Sequence, residues 1–477
     1  MTEVEAAQEQ ETEQKGGFGS LGSIIWLLVL TWAAGIASRP LNDNSFLTHL
    51  ATGRLILEEG RVPSRDPYTF TALGEPWTVQ SWLASVAYAG FERLGGAVGL
   101  RLLIILVYLL AAALLWRLTR PAGSLLVRVA LIAGALFVAT GLWTERPYMV
   151  GVIGVALVLL ALDGEFPWWG LLPLMWVWGN SHGSFVFAIV LVALVVLGGA
   201  LDRGRRWRAV PEDERRVALA VVAGTVLAAA GPLGLRVLTF PFTAADRSDI
   251  FQEVIEWQAP TFRSTSELSF LLFALVAVLA LARWAREWCL ILPAVAFLGA
   301  SLYSQRNIVL ATVVLVAAFA KVVPGVGTLR GDDRPGLGRP MGVLIGVLFV
   351  LVSANTLLTP PNAVEDYAAR PVAWLRSAGL DDVRVATDVP EGNFLQALDG
   401  ATGEVFIDDR FDMMPPDVFD DYLTLLRSGP RWEDVLDEHD IDVVVWRRSL
   451  PTSSLLATSA DWRVGFSDAT WMVAVRR

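Results

Sequence analysis

Residues able to do chemistry are concentrated in segment 39–96, which lies between two long apolar stretches. Its candidates are Asp43, His49, Arg54, Asp66 and Trp82. A carboxylate such as Asp43 can take a proton from a hydroxyl or an amine. The guanidinium of Arg54 matches the oxygens of a phosphate. Because polar groups beside lipid are costly, the segment predicts a site for catalysis or ligand binding.

Each of these residues also has a structural interpretation. Asp43 or Asn44 would serve equally as the N-cap of a helix predicted over Phe46–Glu58. Arg54 would meet lipid headgroups or the neighbouring glutamates. Asp66, between two prolines in PSRDPYTF, fits a second carboxylate, a metal ligand or an Asx turn. For Asp43 the two interpretations are compatible.

A second group of polar candidates occupies short segments between apolar stretches. They are Arg146 in TERPYM, Asn180 and His182 in WGNSHGSF, Glu256 in EVIEWQAP, and Arg306 in SQRN. A histidine in such a place either binds a ligand or makes a packed interhelical hydrogen bond. Taken with segment 39–96, these residues predict one site assembled from several turns.

The composition indicates a polytopic α-helical membrane protein. The chain has 477 residues, of which 54% are hydrophobic and 18% charged. Its apolar blocks have the length that crosses a hydrocarbon core of ~30 Å. We predict about eleven spans, at 22–38, 97–116, 124–142, 147–162, 168–180, 184–201, 216–231, 267–283, 288–304, 306–323 and 340–358. Residues 79–94 predict an amphipathic helix at the interface.

Arginine placement predicts the orientation. Loops 117–123, 202–215 and 324–339 are rich in arginine, which places them and the N-terminus inside. Residues 1–21 are then a disordered cytoplasmic tail, and 22–358 form the membrane domain. Loops 39–96 and 232–266, and everything after 358, face the outside, as do the turns that carry Arg146, His182 and Arg306.

The segment 359–477 predicts a small extracytoplasmic α/β domain. We expect strands at Val383–Thr387, Glu404–Ile407, Val443–Trp446 and Trp471–Val475, and helices at Ala363–Ala378, Pro416–Arg427 and Trp432–His439. Its strong acidity argues against nucleic acid as a partner.

Metal chemistry has little support in the residue types. The one cysteine, Cys289, and three scattered histidines exclude a cysteine-based site and disfavour a histidine-rich one. No metal ligand is therefore assigned and no cofactor is certain. A divalent cation held by carboxylates stays open.

Short motifs along the chain resemble those of a known superfamily. They are Asp43, His49-Leu50, Thr52-Gly53-Arg54, Pro63, Asp66-Pro67-Tyr68, Pro76-Trp77, Trp82-Leu83, Arg146-Pro147, Asn180-Ser181-His182-Gly183 and Asp408-Asp409-Arg410. Together they resemble the GT-C superfamily of integral membrane glycosyltransferases, and most closely an uncharacterised bacterial group within it. The chain departs from that group at Ser45, where the pattern has a second aspartate, and at Leu47-Thr48, where it has a tryptophan pair.

The resemblance implies a glycosyltransferase of the bacterial cytoplasmic membrane, acting on its outer face. The donor would be a sugar on polyprenyl phosphate, and the acceptor a glycan, lipid or protein. Asp43 would be the base, with Asp66 as a possible partner. Arg54, Arg146 or Arg306 would neutralise the phosphate, and His49 or His182 would orient the donor.

Two other functions stay open. The first is a non-catalytic membrane subunit that binds or assembles partner proteins, which the departures at Ser45 and Leu47-Thr48 favour. The second is a transporter, which the lack of charged residues at mid-span disfavours.

Overall fold

The structure is a computed structural model that describes residues 20–41, 43–204, 210–245, 247–323, 338–360, 367–380 and 383–477. Nearly all of the predicted N-terminal tail, and much of the basic loops 202–215 and 324–339, lies outside these residues. The predictions for those segments are therefore not addressed.

Helices dominate the first 360 residues. In chain order the longer ones are α1 (Leu21–Ile36), α2 (Ser45–Glu59), α3 (Trp82–Leu118), α4 (Leu125–Leu142), α5 (Met149–Leu162), α6 (Leu171–Gly179), α7 (Val186–Arg203), α8 (Glu212–Leu227), α9 (Arg236–Ala245), α10 (Thr265–Trp284), α11 (Trp288–Tyr303), α12 (Ile308–Val322) and α13 (Gly338–Leu358). Each predicted span coincides with one of them. Helix α12 is almost wholly buried and lies at the centre of the bundle.

Six helical stretches among the described residues are long and apolar enough to cross a membrane, namely Trp82–Ala122, Leu125–Leu142, Gly183–Arg203, Thr265–Trp284, Gln305–Val322 and Gly338–Leu358. Three shorter apolar helices, Leu21–Ile36, Met149–Leu162 and Trp288–Tyr303, accompany them. The chain is therefore a multi-pass helical membrane protein. A total of eleven spans remains a prediction.

Helix α3 joins two elements that the sequence predicted separately. The predicted amphipathic helix 79–94 and the predicted span 97–116 form one helix, which is interrupted at Gly95 and Gly96. Gly96 has φ +55°, in a region that glycine enters without the penalty of a Cβ atom. The break lets the first part of α3 pack along α2 while the second part continues into the bundle.

The C-terminal unit, residues 367–477, contains a four-stranded sheet. Its strands are β1 (Val385–Ala386), β2 (Val443–Arg447), β3 (Trp462–Ser467) and β4 (Trp471–Arg476), in the order β1-β2-β4-β3. β1 pairs with β2 in parallel, and the other neighbours are antiparallel. Its helices are α14 (Ala369–Ser377), α15 (Val389–Asp399), α16 (Pro416–Arg427), α17 (Trp432–Glu438) and α18 (Thr452–Thr458).

One predicted strand of this unit was wrong, and strand β3 and helices α15 and α18 were not predicted. Glu404–Ile407 is not a regular strand, since only Val405 forms isolated bridges, to Thr69 and to Val385. Strand β3 was missed because its residues are largely exposed and lack a continuous apolar run.

The C-terminal unit and segment 61–81 share one hydrophobic core. Tyr68, Trp77 and Val79 from the segment pack in the same cluster as Phe406 and Trp446. Phe70 N–H donates to the carbonyl of Val405 at 3.0 Å. Segment 61–81 therefore folds together with residues about 335 positions further along the chain.

Candidate active site

Asp43 lies where α1 has ended and α2 is about to begin. One carboxylate oxygen accepts a hydrogen bond from the backbone N–H of Ser45 at 3.2 Å. The other contacts Nε of Arg146 at 2.5 Å. The N-cap position of α2 belongs to Asn44, while the Asp43 carboxylate bonds the first N–H of the helix and also forms an ion pair.

Arg146 continues this ion pair into a chain of alternating charges. Its Nη1 donates to Glu256, and Glu256 in turn lies 3.6 Å from Nη1 of Arg306. Burial alone would raise the pKa of Glu256, but the charges of Arg146 and Arg306 outweigh it, so the pKa lies below its ordinary value. Asp43, Arg146, Glu256 and Arg306 come from four separate connecting segments and form one cluster, which we call the Asp43 cluster. All four are among the candidates that the sequence predicted.

Backbone contacts hold Glu256 in this place. The carbonyl of Glu256 accepts a hydrogen bond from the Ser304 hydroxyl at 3.1 Å, and Gln305 N–H donates to Gln258 at 2.9 Å. The guanidinium of Arg306 stacks on the Trp257 ring at 4.3 Å. The loop before α10 is thereby fastened to the turn between α11 and α12.

His182 faces Arg306 across a small gap. Its Nδ1 accepts a hydrogen bond from Ser184 N–H at 3.0 Å, and Tyr148 packs edge-on against its ring. Burial and then the charge of Arg306 lower the pKa of His182 well below its ordinary value. In a neutral ring that accepts at Nδ1, the proton is on Nε2. Nε2 lies 3.4 Å from Nη2 of Arg306, so two N–H donors are adjacent.

Glu145 supplies a second carboxylate beside Asp43 that the sequence did not single out. It accepts a hydrogen bond from the backbone N–H of Asp43 at 2.8 Å. Burial, and then the charge of Asp43, raise its pKa to about 7. A cavity of about 180 Å³ opens here, lined by both carboxylates together with Arg39, Tyr108 and Trp143. In the sequence, the signal for Glu145 was its position directly before Arg146.

The C-terminal unit also contributes a carboxylate. Thr48 donates its hydroxyl to Asp409 at 2.9 Å, and Ser45 forms a further hydrogen bond to the same group. Burial and then the charge of Asp408 raise the pKa of Asp409, whereas the charge of Arg146 acts in the opposite direction. Asp409 thus contacts residues at two of the three positions, 45 and 48, where the sequence departs from the GT-C-like pattern.

His49 lies on the same helix, against α3. Its Nδ1 is 3.4 Å from the Ser85 hydroxyl. Burial and then the charge of Arg146 lower the pKa of His49 to about 3, so the ring is neutral. Within the described residues, His49 takes no part in the chain of ion pairs formed by Asp43, Arg146, Glu256 and Arg306.

Asp66 does not join Asp43 as the sequence proposed. It is 3% exposed, and its carboxylate accepts hydrogen bonds from the backbone N–H groups of Tyr68 and Thr69. Its other partner is Arg410, at 2.6 Å. This is the Asx-turn alternative, with a buried ion pair added to it.

Three other candidates make internal contacts. Arg54 binds both oxygens of Glu92, at 2.7 and 2.5 Å, and shares no contact with the Asp43 cluster. Trp82 donates its indole N–H to Asn180 at 2.8 Å, and Asn180 donates to the carbonyls of Trp176 and Ala228. Trp82 and Asn180 therefore tie α3 to the turn that positions His182.

Comparison with known proteins adds no assignment, because no family model matches the chain and no curated protein matches it significantly. Across the described ranges, no group of three or more histidine, cysteine, aspartate or glutamate residues is arranged to hold a metal ion.

The cluster combines groups that suit one class of chemistry. Asp43 and Glu145 are proton acceptors next to a cavity, and Arg146 and Arg306 are fixed cations. The neutral His182 adds an N–H donor next to Arg306. Such a set can take a proton from a hydroxyl while it stabilises an anion that forms nearby.

Proposed function

We propose that the protein transfers a sugar from a polyprenyl phosphate to an acceptor hydroxyl at the outer face of the bacterial cytoplasmic membrane. The observation that carries the proposal is the pair of N–H donors on His182 and Arg306. Arg306 is connected to Asp43 through ion pairs with Glu256 and Arg146. A phosphate oxygen would accept from both donors, which otherwise face each other unfavourably.

In this reaction Asp43 takes the acceptor's O–H proton. The acceptor oxygen bonds to the anomeric carbon as the bond from that carbon to the phosphate oxygen breaks, with inversion at the carbon. The phosphate leaves with the electron pair, and Arg306, His182 and Arg146 stabilise its charge. The prenyl chain would lie among the apolar helices, and the arginine-rich loops support the proposed orientation.

A second candidate is a non-catalytic subunit that assembles partner proteins. The observation in its favour is the charge balance of the cluster, since Asp43 and Glu256 already pair with Arg146 and Arg306. Ion pairs of this kind would also hold the connecting segments together without any catalytic role.

Asp43→Asn separates the two functions. The substitution keeps the shape but removes the proton acceptor, so we expect transfer from a prenyl-phosphate-linked sugar to fall roughly 100- to 10,000-fold. Transfer is measured with full-length protein in nanodiscs by chromatography of the product, and donor binding is measured alongside it.

The control for this experiment is Asp163→Asn, which removes a carboxylate that pairs with Lys321 at the opposite end of the bundle. It should leave the rate unchanged. Retained transfer in the Asp43 variant would remove Asp43 from the mechanism. Absence of transfer in the native protein, together with co-purifying subunits, would favour the assembly function.

A further inference from the structure

A larger cavity lies apart from the Asp43 cluster, between segment 64–78 and helix α9. Its volume is about 460 Å³, within the range of small-molecule sites. The residues that line it are Ser64, Arg65, Pro76, Trp77, Thr78, Arg236, Thr239, Phe240 and Thr243. We call it the Arg65–Arg236 cavity. No carboxylate is among these residues.

The two arginines of the cavity have no carboxylate partner among the described residues. Arg65 donates one bond, from Nη1 to the carbonyl of Gly74 at 2.6 Å. Neither Arg65 nor Arg236 forms an ion pair within the described part of the chain, in contrast to Arg54, Arg146 and Arg410. In a protein of net charge −10, two exposed cations facing one cavity make a local site for an anion.

The remaining lining is suited to a sugar. The hydroxyls of Ser64 and Thr78 can donate to and accept from sugar hydroxyls, whereas those of Thr239 and Thr243 already donate to helix carbonyls and can accept. Trp77 is 6% exposed and contributes only a small part of its ring to the wall, and it is held rigidly because the guanidinium of Arg410 stacks on it at 4.4 Å. A simple ion would use the arginines but leave these groups without a role.

One residue of the cavity wall, Phe240, also contacts the turn that carries His182. A Cβ atom added to Gly183 would lie 3.6 Å from the ring of Phe240, and Gly183 follows His182. Phe240 therefore has the cavity on one side and the backbone next to His182 on the other. A molecule in the cavity would lie beside the candidate active site without occupying it.

We propose that the Arg65–Arg236 cavity binds an acidic sugar, meaning a sugar unit that bears a phosphate or carboxylate group. The acid pairs with the two arginines, the ring lies against Trp77, and its hydroxyls bond to the serine and threonine side chains. The same chemistry is presented by a free acidic sugar and by the end of a lipid-linked glycan. The proposal concerns binding and does not depend on transfer.

Isothermal titration of the full-length protein in nanodiscs tests this binding. The probes are glucose 1-phosphate, glucuronic acid, methyl glucoside and inorganic phosphate. We expect both acidic sugars to bind more tightly than the neutral sugar and than phosphate alone. Arg65→Gln and Arg236→Gln should each weaken that binding by about tenfold or more, because each removes a charge-assisted hydrogen bond.

Arg61→Gln is the matched control, since Arg61 is an exposed arginine of the same segment that pairs with Glu59 and does not line the cavity. Unchanged binding in both cavity variants, or equal binding of methyl glucoside or inorganic phosphate, would overturn the proposal. Loss of binding in Arg306→Gln alone would move the acidic sugar to the Asp43 cluster, which overturns this inference but not the proposed function. A short-chain prenyl-phosphate glucose, titrated in parallel, distinguishes the lipid-linked source from the free one.

Discussion

Two aspartates in the same loop have opposite environments. Asp43 is about 10% exposed at its side chain and lies beside a cavity. Asp66 is enclosed, and its oxygens are used by backbone N–H groups, a threonine and Arg410. A carboxylate whose hydrogen-bonding capacity is filled stabilises structure, whereas one that borders a cavity remains available to a substrate.

Asp66→Asn is expected to destabilise the protein. The change removes one negative partner of Arg410, which is buried at 5% exposure. Breaking a buried ion pair by removing one partner lowers the free energy of unfolding by roughly 3–5 kcal/mol. The thermal midpoint of the full-length protein in detergent should fall.

Glu75→Gln provides the control for Asp66→Asn, because Glu75 lies on the same turn with an exposed side chain. Its midpoint should match that of the native protein. An unchanged midpoint in the Asp66 variant would show that the Asp66–Arg410 pair contributes little to stability.

At the scale of elements, helix α15 begins with a buried acidic pair. Asp388 precedes the helix and Glu391 lies in its first turn, and both contact Arg447 of β2. Burial, and then the charge of Asp388, raise the pKa of Glu391 far above its ordinary value. Burial likewise raises the pKa of Asp388, against the effect of Arg447. The pair therefore retains a proton at neutral pH.

This retained proton predicts a loss of stability in alkali. A carboxyl whose pKa is higher in the folded state stabilises the fold fully below its unfolded pKa, and that stabilisation disappears as pH rises through the folded pKa. We expect the thermal midpoint to fall from neutral to alkaline pH. Glu391→Gln, which mimics the protonated form, should reduce this fall.

The matched control for Glu391→Gln is Glu404→Gln, in the same unit, for which no ion pair is found among the described residues. The control should follow the native pH profile. If Glu391→Gln also follows it, the proton is not held by this pair.

At the scale of the whole molecule, the C-terminal unit is part of the candidate site. It brings Asp409 to the start of α2 and braces the loop that carries Glu256, through contacts from Arg427 to Glu253 and from Arg247 to Met414. The bundle and the C-terminal unit therefore build the site together. The C-terminal unit and the connecting segments that carry the Asp43 cluster must lie on the same side of the membrane.

Labelling of single cysteines tests which side that is. In a Cys289→Ser background, Leu73→Cys introduces a thiol at a position that is 61% exposed on the side of the Asp43 cluster. Asp213→Cys introduces one at the start of α8, at the opposite end. An impermeant maleimide should label the first variant in intact cells and the second only after permeabilisation. The reverse pattern would place the site in the cytoplasm.

Much of this architecture could be predicted from local sequence. Apolar blocks long enough for a membrane determined where helices form, and polar residues between them identified Arg146, His182, Glu256 and Arg306, because a charge in such a place is costly. Asp43 was identified in the same way. These inferences succeed since they depend on neighbouring residues and on the solvent around a helix.

Only the tertiary structure decided which carboxylates meet. Asp409 contacts Thr48 across 361 positions, and Asp66 pairs with Arg410 rather than completing a site with Asp43. Neither pairing leaves a local signal, because the residue types and hydropathy of a segment are the same whether its Asp, Thr or Arg side chains face each other or water. The sequence by itself determined a helical membrane protein with polar turns. The fold determined the cluster, because long-range packing sets the distance between charges, and that distance sets their interaction.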